Sequence, residues 1–164
     1  MAMVAAQPGT YHDGRQSPVA FDICRGVARL LREHGLATIN EVSLANGRRA
    51  DVTGISDSGA IWMVEVKSCL EDFRTDQKWH EYREFCDRLL FAVAPDFPRE
   101  MLPPDTGLII ADRYGGEIIR PAPEHKLVAS RRKAMTLRLV RIAALRLQGV
   151  VDPEGDFERW ARLE

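Results

Sequence analysis

The stretch RRADVTGISDSGAIWMVEVKS, residues 48–68, decides the fold. It reads as two strands, over 48–55 and 60–68, around the turn Asp57-Ser58-Gly59. In the second strand nearly every residue from Ile61 to Val66 is apolar, the pattern of a strand covered on both faces. Strand period two puts Ile61, Met63, Glu65 and Lys67 on one face, so a carboxylate and an ammonium emerge together at the end of an apolar strand. Burying either charge is costly unless it is paired or binds a metal. Asp51 precedes Glu65 by 14 positions, a separation that a hairpin brings side by side. Two neighbouring carboxylates repel, and a divalent cation relieves the repulsion. Hard oxygen ligands, with the Val66 backbone carbonyl as a third, favour Mg2+ or Mn2+ over zinc.

Working outward, a further strand over 37–44 joins the first through Ala45-Asn46-Gly47, where Asn-Gly is a strong hairpin signal. Before it, Ser17 as N-cap and Pro18 in the first turn open a helix. Its apolar face is Ala20, Ile23, Cys24, Val27, Leu30 and Leu31, and Gly35 closes it. After residue 68 the spacing predicts a helix over 75–86, a buried strand over 89–93, a Pro-rich loop over 95–104, and a smaller strand pair over 107–111 and 117–120. Trp79 and Phe85 read as core residues and His80 as a helix-surface residue. A long helix is predicted over 130–148, its seam of Leu137, Val140, Ala144 and Leu147 facing the core. A short terminal helix is predicted over 152–163. The order predicts an α/β fold with a mixed β-sheet flanked by helices.

The chain of 164 residues is long enough for one domain with a sizeable core. Its net charge of -1 hides a block: residues 125–151 carry seven Lys and Arg and no acid, between acidic neighbours. Such a block is a footprint for a polyanion, while the near-neutral total argues against non-specific coating of nucleic acid. Cys24, Cys69 and Cys86 are too widely spaced for a disulfide framework or a zinc site, which points to a reducing cytoplasm. No run approaches the roughly 18–20 apolar residues of a membrane span, so no membrane partner is expected.

Asp51 followed by Glu65-x-Lys67, between an N-terminal helix and a crossover helix leading to the strand over 89–93, resembles the PD-(D/E)xK nuclease superfamily. The resemblance implies a restriction-endonuclease-like core, Asp51 and Glu65 as metal ligands, and Lys67 as the catalytic lysine that orients or activates water. It also implies hydrolysis of a DNA phosphodiester. Arg48-Arg49-Ala50-Asp51-Val52, 64–68, Asp76-Gln77-Lys78-Trp79, Glu81-Tyr82, Cys86-Asp87-Arg88, Arg120 through His125 and Arg131-Arg132-Lys133-Ala134 are similar to the more specific MmcB-like bacterial DNA repair family, over about 17–148. On this reading 1–16 is a flexible N-terminal arm, 17–148 a single nuclease-like domain, and 149–164 a C-terminal tail. Ala50 stands where the motif name has Pro. Lys78 and Tyr82 stand where RecB-like relatives carry Q-x-x-x-Y, and become candidates for substrate contact.

An E-x-K pair alone is most often a surface ion pair; Asp51 and the element order raise it to a metal site. Glu41 is a candidate additional ligand, against the plainer reading of a solvated strand residue. Arg131 and Arg138 of the long helix are candidates for DNA contact, balanced against a homodimer or repair-protein interface. Two functions follow: a DNA-repair nuclease requiring Mg2+ or Mn2+, or a non-catalytic nuclease-fold DNA-binding or adaptor protein.

Overall fold

A computed structural model describes residues 17–76 and 78–155. The arm over 1–16 and, from residue 156, the expected terminal helix lie outside the described residues. Helix α1 (Pro18–Glu33) begins as the sequence indicates. Ser17 Oγ accepts the Ala20 N–H at 3.1 Å, Pro18 sits in the first turn, and the chain leaves through Gly35 at φ +77°. Six strands follow among the described residues: β1 (Leu36–Ser43), β2 (Arg49–Ser56), β3 (Ile61–Lys67), β4 (Arg88–Val93), β5 (Gly107–Ala111) and β6 (Gly116–Arg120). They form one mixed sheet in sequence order. β1, β2 and β3 are antiparallel, β3, β4 and β5 parallel, and β6 antiparallel to β5. The smaller strand pair over 107–111 and 117–120 thus extends the same sheet.

The sheet is covered on both faces. On one, Ile23, Val27, Leu30 and Leu31 of α1 pack on Val52, Val64, Leu90, Ala92 and Ile109. Gly26 lets α1 approach closely, since a Cβ there would lie 1.9 Å from the Asp112 carbonyl oxygen. On the other face, Ala50, Ile61, Met63 and Leu89 meet Tyr82, Phe85 and Cys86, with Met135 and Leu139 of helix α3 (Ala129–Val151). Burial drives the Cys86 thiol up to about 12, as an inert core sulfur.

Two expectations are corrected. The helix predicted over 75–86 is two pieces, α2 (Leu70–Thr75) and a 3-10 helix (Trp79–Glu84). The break falls at Asp76, whose carboxylate accepts from Lys67 Nζ with one oxygen and from the Lys78 N–H with the other. A short acidic side chain that caps its own backbone competes with helix continuation. In α3 the core face is Met135, Leu139 and Ile142. Leu137, Val140 and Leu147, the predicted core seam, are 55–64% exposed. The arginines decide between the faces. Arg132 binds Asp87, while Arg138 and Arg146 donate to backbone carbonyls of β1, so their side must face the sheet.

Strands β1 and β2 change face together. Ile39 and Ile55 pack on the α3 side, yet so do Val42 and Ala50, which strict alternation forbids. The ladder pairs Asn40 with Val52 and Val42 with Ala50 and skips Glu41 and Asp51. The reversal is centred there, and Glu41 takes φ +52°, the one non-glycine residue with positive φ among those described.

Candidate active site

The face reversal leaves Asp51 at the point where β2 parts from β3, whose pairing ends at Val52 with Val64. Its carboxylate takes over from the ladder: Oδ2 accepts the Val66 N–H at 2.8 Å. Glu65 answers from β3, its Oε1 3.4 Å from the Asp51 N–H. Both carboxylates line one cavity of about 710 Å3 with Val66 and Lys67. Glu65 and Lys67 are buried, and Asp51 is half-buried.

The electrostatics are those of a crowded acidic site. Burial lifts the Glu65 pKa well above the usual carboxylate range, the Asp51 charge adds to the lift, and Lys67 opposes it. Burial also raises Asp51, against the Val66 N–H and the Lys67 charge. Tyr82 closes the floor, its hydroxyl donating to the Arg49 carbonyl at 3.1 Å; burial and the nearby carboxylates raise its pKa. A buried carboxylate whose pKa is lifted by a neighbouring carboxylate is what a hard cation relieves, and Mg2+ commonly takes only one or two protein carboxylates, with water and phosphate completing its shell. Asp51, Glu65 and the adjoining Val66 suit such an ion. Among the described residues no group of three or more His, Cys, Asp or Glu side chains is disposed to hold a metal.

Lys67 is not isolated. Its Nζ lies 2.6 Å from Asp76 Oδ2, an ion pair that is mostly buried. Sequence reasoning passed over Asp76 because it placed that residue inside a helix; the tendency of aspartate to bond its own local backbone and break a helix was the available signal. Arg48, Arg49, Ser68 and Thr75 also line the cavity and were missed. Lys78 and Tyr82, the pair carried over from the RecB-like pattern, both line it. Glu41 does not line it; its Oε1 lies 3.7 Å from the Arg49 guanidinium. Arg131 and Arg138 are also elsewhere. Arg131 sits over the Phe85 ring at 4.9 Å and pairs with Glu84, and Arg138 donates to the Ser43 carbonyl at 3.0 Å. These two arginines fasten α3 to the rest of the fold.

The class defined so far is an α/β protein with a mixed six-stranded sheet and a carboxylate–lysine cavity opening where β2 and β3 diverge. A family model described as DNA repair protein MmcB-like matches residues 7–154, and the chain belongs to that family. It is also similar to a solved structure described as SPO1766, a protein of unknown function from Silicibacter pomeroyi, at 47% identity and a TM-score of 0.82. That match covers 86% of this chain and 96% of the other. No curated protein matches the sequence. Among the described residues no helix is long and apolar enough to cross a membrane.

Proposed function

We propose that this chain is a PD-(D/E)xK deoxyribonuclease of DNA repair, on a restriction-endonuclease-like core, that hydrolyses DNA phosphodiesters with Mg2+ or Mn2+. The observation that carries the reading is the convergence of Asp51, Glu65 and Lys67 in one cavity, with a half-buried and a buried carboxylate from adjacent strands. A fold gains nothing from a buried acid set beside a second carboxylate unless something neutralises the pair. Asp51, Glu65 and the Val66 carbonyl would hold the ion. When bound, it supplies charge neutralisation for the developing phosphoryl oxygens and acidifies water. Lys67, fixed by Asp76, points a donor at the attacked phosphate. A water oxygen forms the new bond to phosphorus as the bond to the 3′ oxygen breaks; the 3′ oxygen leaves as a hydroxyl, taking up one of the water's protons, and the phosphate stays on the 5′ end of the other fragment. The cytoplasm is the proposed compartment, in keeping with three unbridged cysteines.

A second reading has its own support. The Lys67 ammonium is already engaged by Asp76, which suits a structural pair in a non-catalytic DNA-binding or adaptor protein. Purified protein assayed on nicked, flapped, single-stranded and duplex DNA with Mg2+ or Mn2+ separates the two. Lys67→Ala is expected to lose about 10²–10³ in rate, the cost of removing one preorganised donor, while keeping metal-dependent thermal stabilisation. Asp51→Asn is expected to lose both. Wild type that binds DNA and cuts none of these substrates replaces the nuclease reading with the adaptor one.

A further inference from the structure

Helix α3 has its polarity inverted. The side packed on the sheet carries Arg132, Arg138 and Arg146 among Met135, Leu139 and Ile142, and these arginines bind Asp87 and carbonyls of β1. The side open to water carries Leu137, Val140, Ala144, Leu147 and Val151. A solvated helix face ordinarily turns its charges outward. Here Leu137, Val140, Leu147, Val150 and Val151 are each 52–70% exposed. Together they leave on the order of 500 Å2 of aliphatic surface in water, at the upper end of what a monomer keeps.

The spacing and the charges point to one occupant. Leu137, Val140, Ala144, Leu147 and Val151 alternate steps of three and four, the pattern of a seam between two like helices. None of the five carries a charge that a copy of itself would repel. Two copies contribute roughly 1,000 Å2 from the exposed aliphatic side chains, and the flanking Thr136, Ala143 and Gln148 bring the total to about the 1,200 Å2 at which specific interfaces begin. Lys133 lies one turn before Leu137, Asp152 and Glu154 lie just beyond Val151, and all three are exposed. In an antiparallel pair centred on Ala144, Leu137 faces Val151 of the second copy and Lys133 reaches that copy's Asp152 and Glu154. A parallel pair sets lysine against lysine and acid against acid. Beside Leu137 a groove of about 450 Å3, walled by Leu127, Ala129 and Thr136, stands where Val151 of the second copy arrives.

We propose that the open face of α3 is the docking surface for a second copy of this chain, in an antiparallel helix pair whose two-fold axis passes at Ala144. The pair owes nothing to the chemistry of the Asp51 and Glu65 cavity, and forms whether or not the chain cuts DNA. Its modest area makes it reversible, with dissociation in the micromolar range, so dilute protein unfolds as a monomer.

Sedimentation velocity of the full chain over a series of concentrations reads the association directly. Wild type is expected to pass from monomer to dimer as concentration rises. Val140→Glu and Leu147→Glu change exposed positions, so in dilute solution both should unfold at the wild-type temperature, yet each should weaken association at least about tenfold. Lys133→Glu should weaken it about threefold, and adding Asp152→Lys and Glu154→Lys should restore it, because opposite ends of α3 meet. In a Cys69→Ser background, mild oxidation should link Ala144→Cys chains to one another and Leu137→Cys chains to Val151→Cys chains. Leu137→Cys alone, whose counterpart lies roughly 20 Å away in this register, should stay unlinked. Wild type that is monomeric at every concentration would overturn the proposal, whether water or the chain's own residues 156–164 cover the stripe. So would a dimer that survives both Val140→Glu and Leu147→Glu, which must use another surface, or Leu137→Cys chains that link to one another, which must lie parallel.

Discussion

Glu65 has nowhere to put its charge. It is buried at the end of an apolar strand, with Asp51 beside it and Lys67 drawn off toward Asp76. Its folded-state pKa lies above the unfolded value, so its ionisation opposes folding as pH rises through the range between the two. Glu65→Gln removes that opposition and keeps an acceptor for the Asp51 N–H. In metal-free buffer near neutrality it is expected to raise stability by roughly 1 kcal/mol, or about 2–4 °C for a domain of this size. The same variant should lose most of the wild type's thermal stabilisation by Mn2+. A variant less stable than wild type without metal, and equally stabilised by it, would mean that Glu65 is satisfied by the protein alone. The positions of Asp51, Glu65 and Lys67 were readable because strand parity and a hairpin are local rules. Asp76 was not, because its role depends on where a helix breaks, and its partner Lys67 comes from another element. Glu41 defeated parity altogether, since alternation cannot anticipate a left-handed residue held from a helix about a hundred positions away.

At the scale of elements, α1 and the hairpin were legible to within a residue or two because cap, turn and apolar face agree in each. Helix α3 was not. It carries apolar residues nearly all round, so its sequence offers two stripes, Leu137-Val140-Ala144-Leu147 and Met135-Leu139-Ile142. Pattern alone favours the longer and more regular one. The structure buries the other, because only that side presents Arg132 to Asp87 and Arg138 and Arg146 to the open carbonyls of the edge strand β1. An edge strand with unpaired backbone groups is an aggregation hazard, and arginine donors are one way to cover it. The assignment of faces has a direct consequence. Leu139→Ala, at 2% exposure, is expected to cost about 2–5 kcal/mol, whereas Leu147→Ala, at 64% exposure, should stay within about 0.5 kcal/mol. Urea unfolding of the two variants measures both. Equal costs would indicate that the Leu147 face is also covered in solution.

The whole molecule is drawn together at Asp87, which lies just before β4 and is almost fully buried. Its Oδ2 accepts the Ile61 N–H at 2.8 Å, Oδ1 accepts the Leu127 N–H at 2.8 Å, and Arg132 of α3 binds both oxygens at 2.7 Å. Its backbone adds bonds to Ile61 and His125. One side chain thus joins the start of β3, the segment that leads out of β6 and the first turn of α3. Burial alone would raise the Asp87 pKa, but the Arg132 guanidinium and the two N–H donors outweigh it and bring it down from 3.8 to about 2. A depressed carboxylate contributes stability above its unfolded pKa and loses it as pH falls through the folded value. The window here is from about pH 4 down to about pH 2, and the amount is on the order of 2 kcal/mol. Arg132→Met leaves the carboxylate buried with only backbone donors, and at neutral pH should cost about 3 kcal/mol. Below the window Asp87 is protonated in both proteins, so the gap between them should narrow by most of that 2 kcal/mol. Urea midpoints at neutral pH and near pH 2 provide the comparison. A gap that stays constant across the window would show that Arg132 holds α3 through packing, and that the charge on Asp87 contributes nothing to joining the three segments.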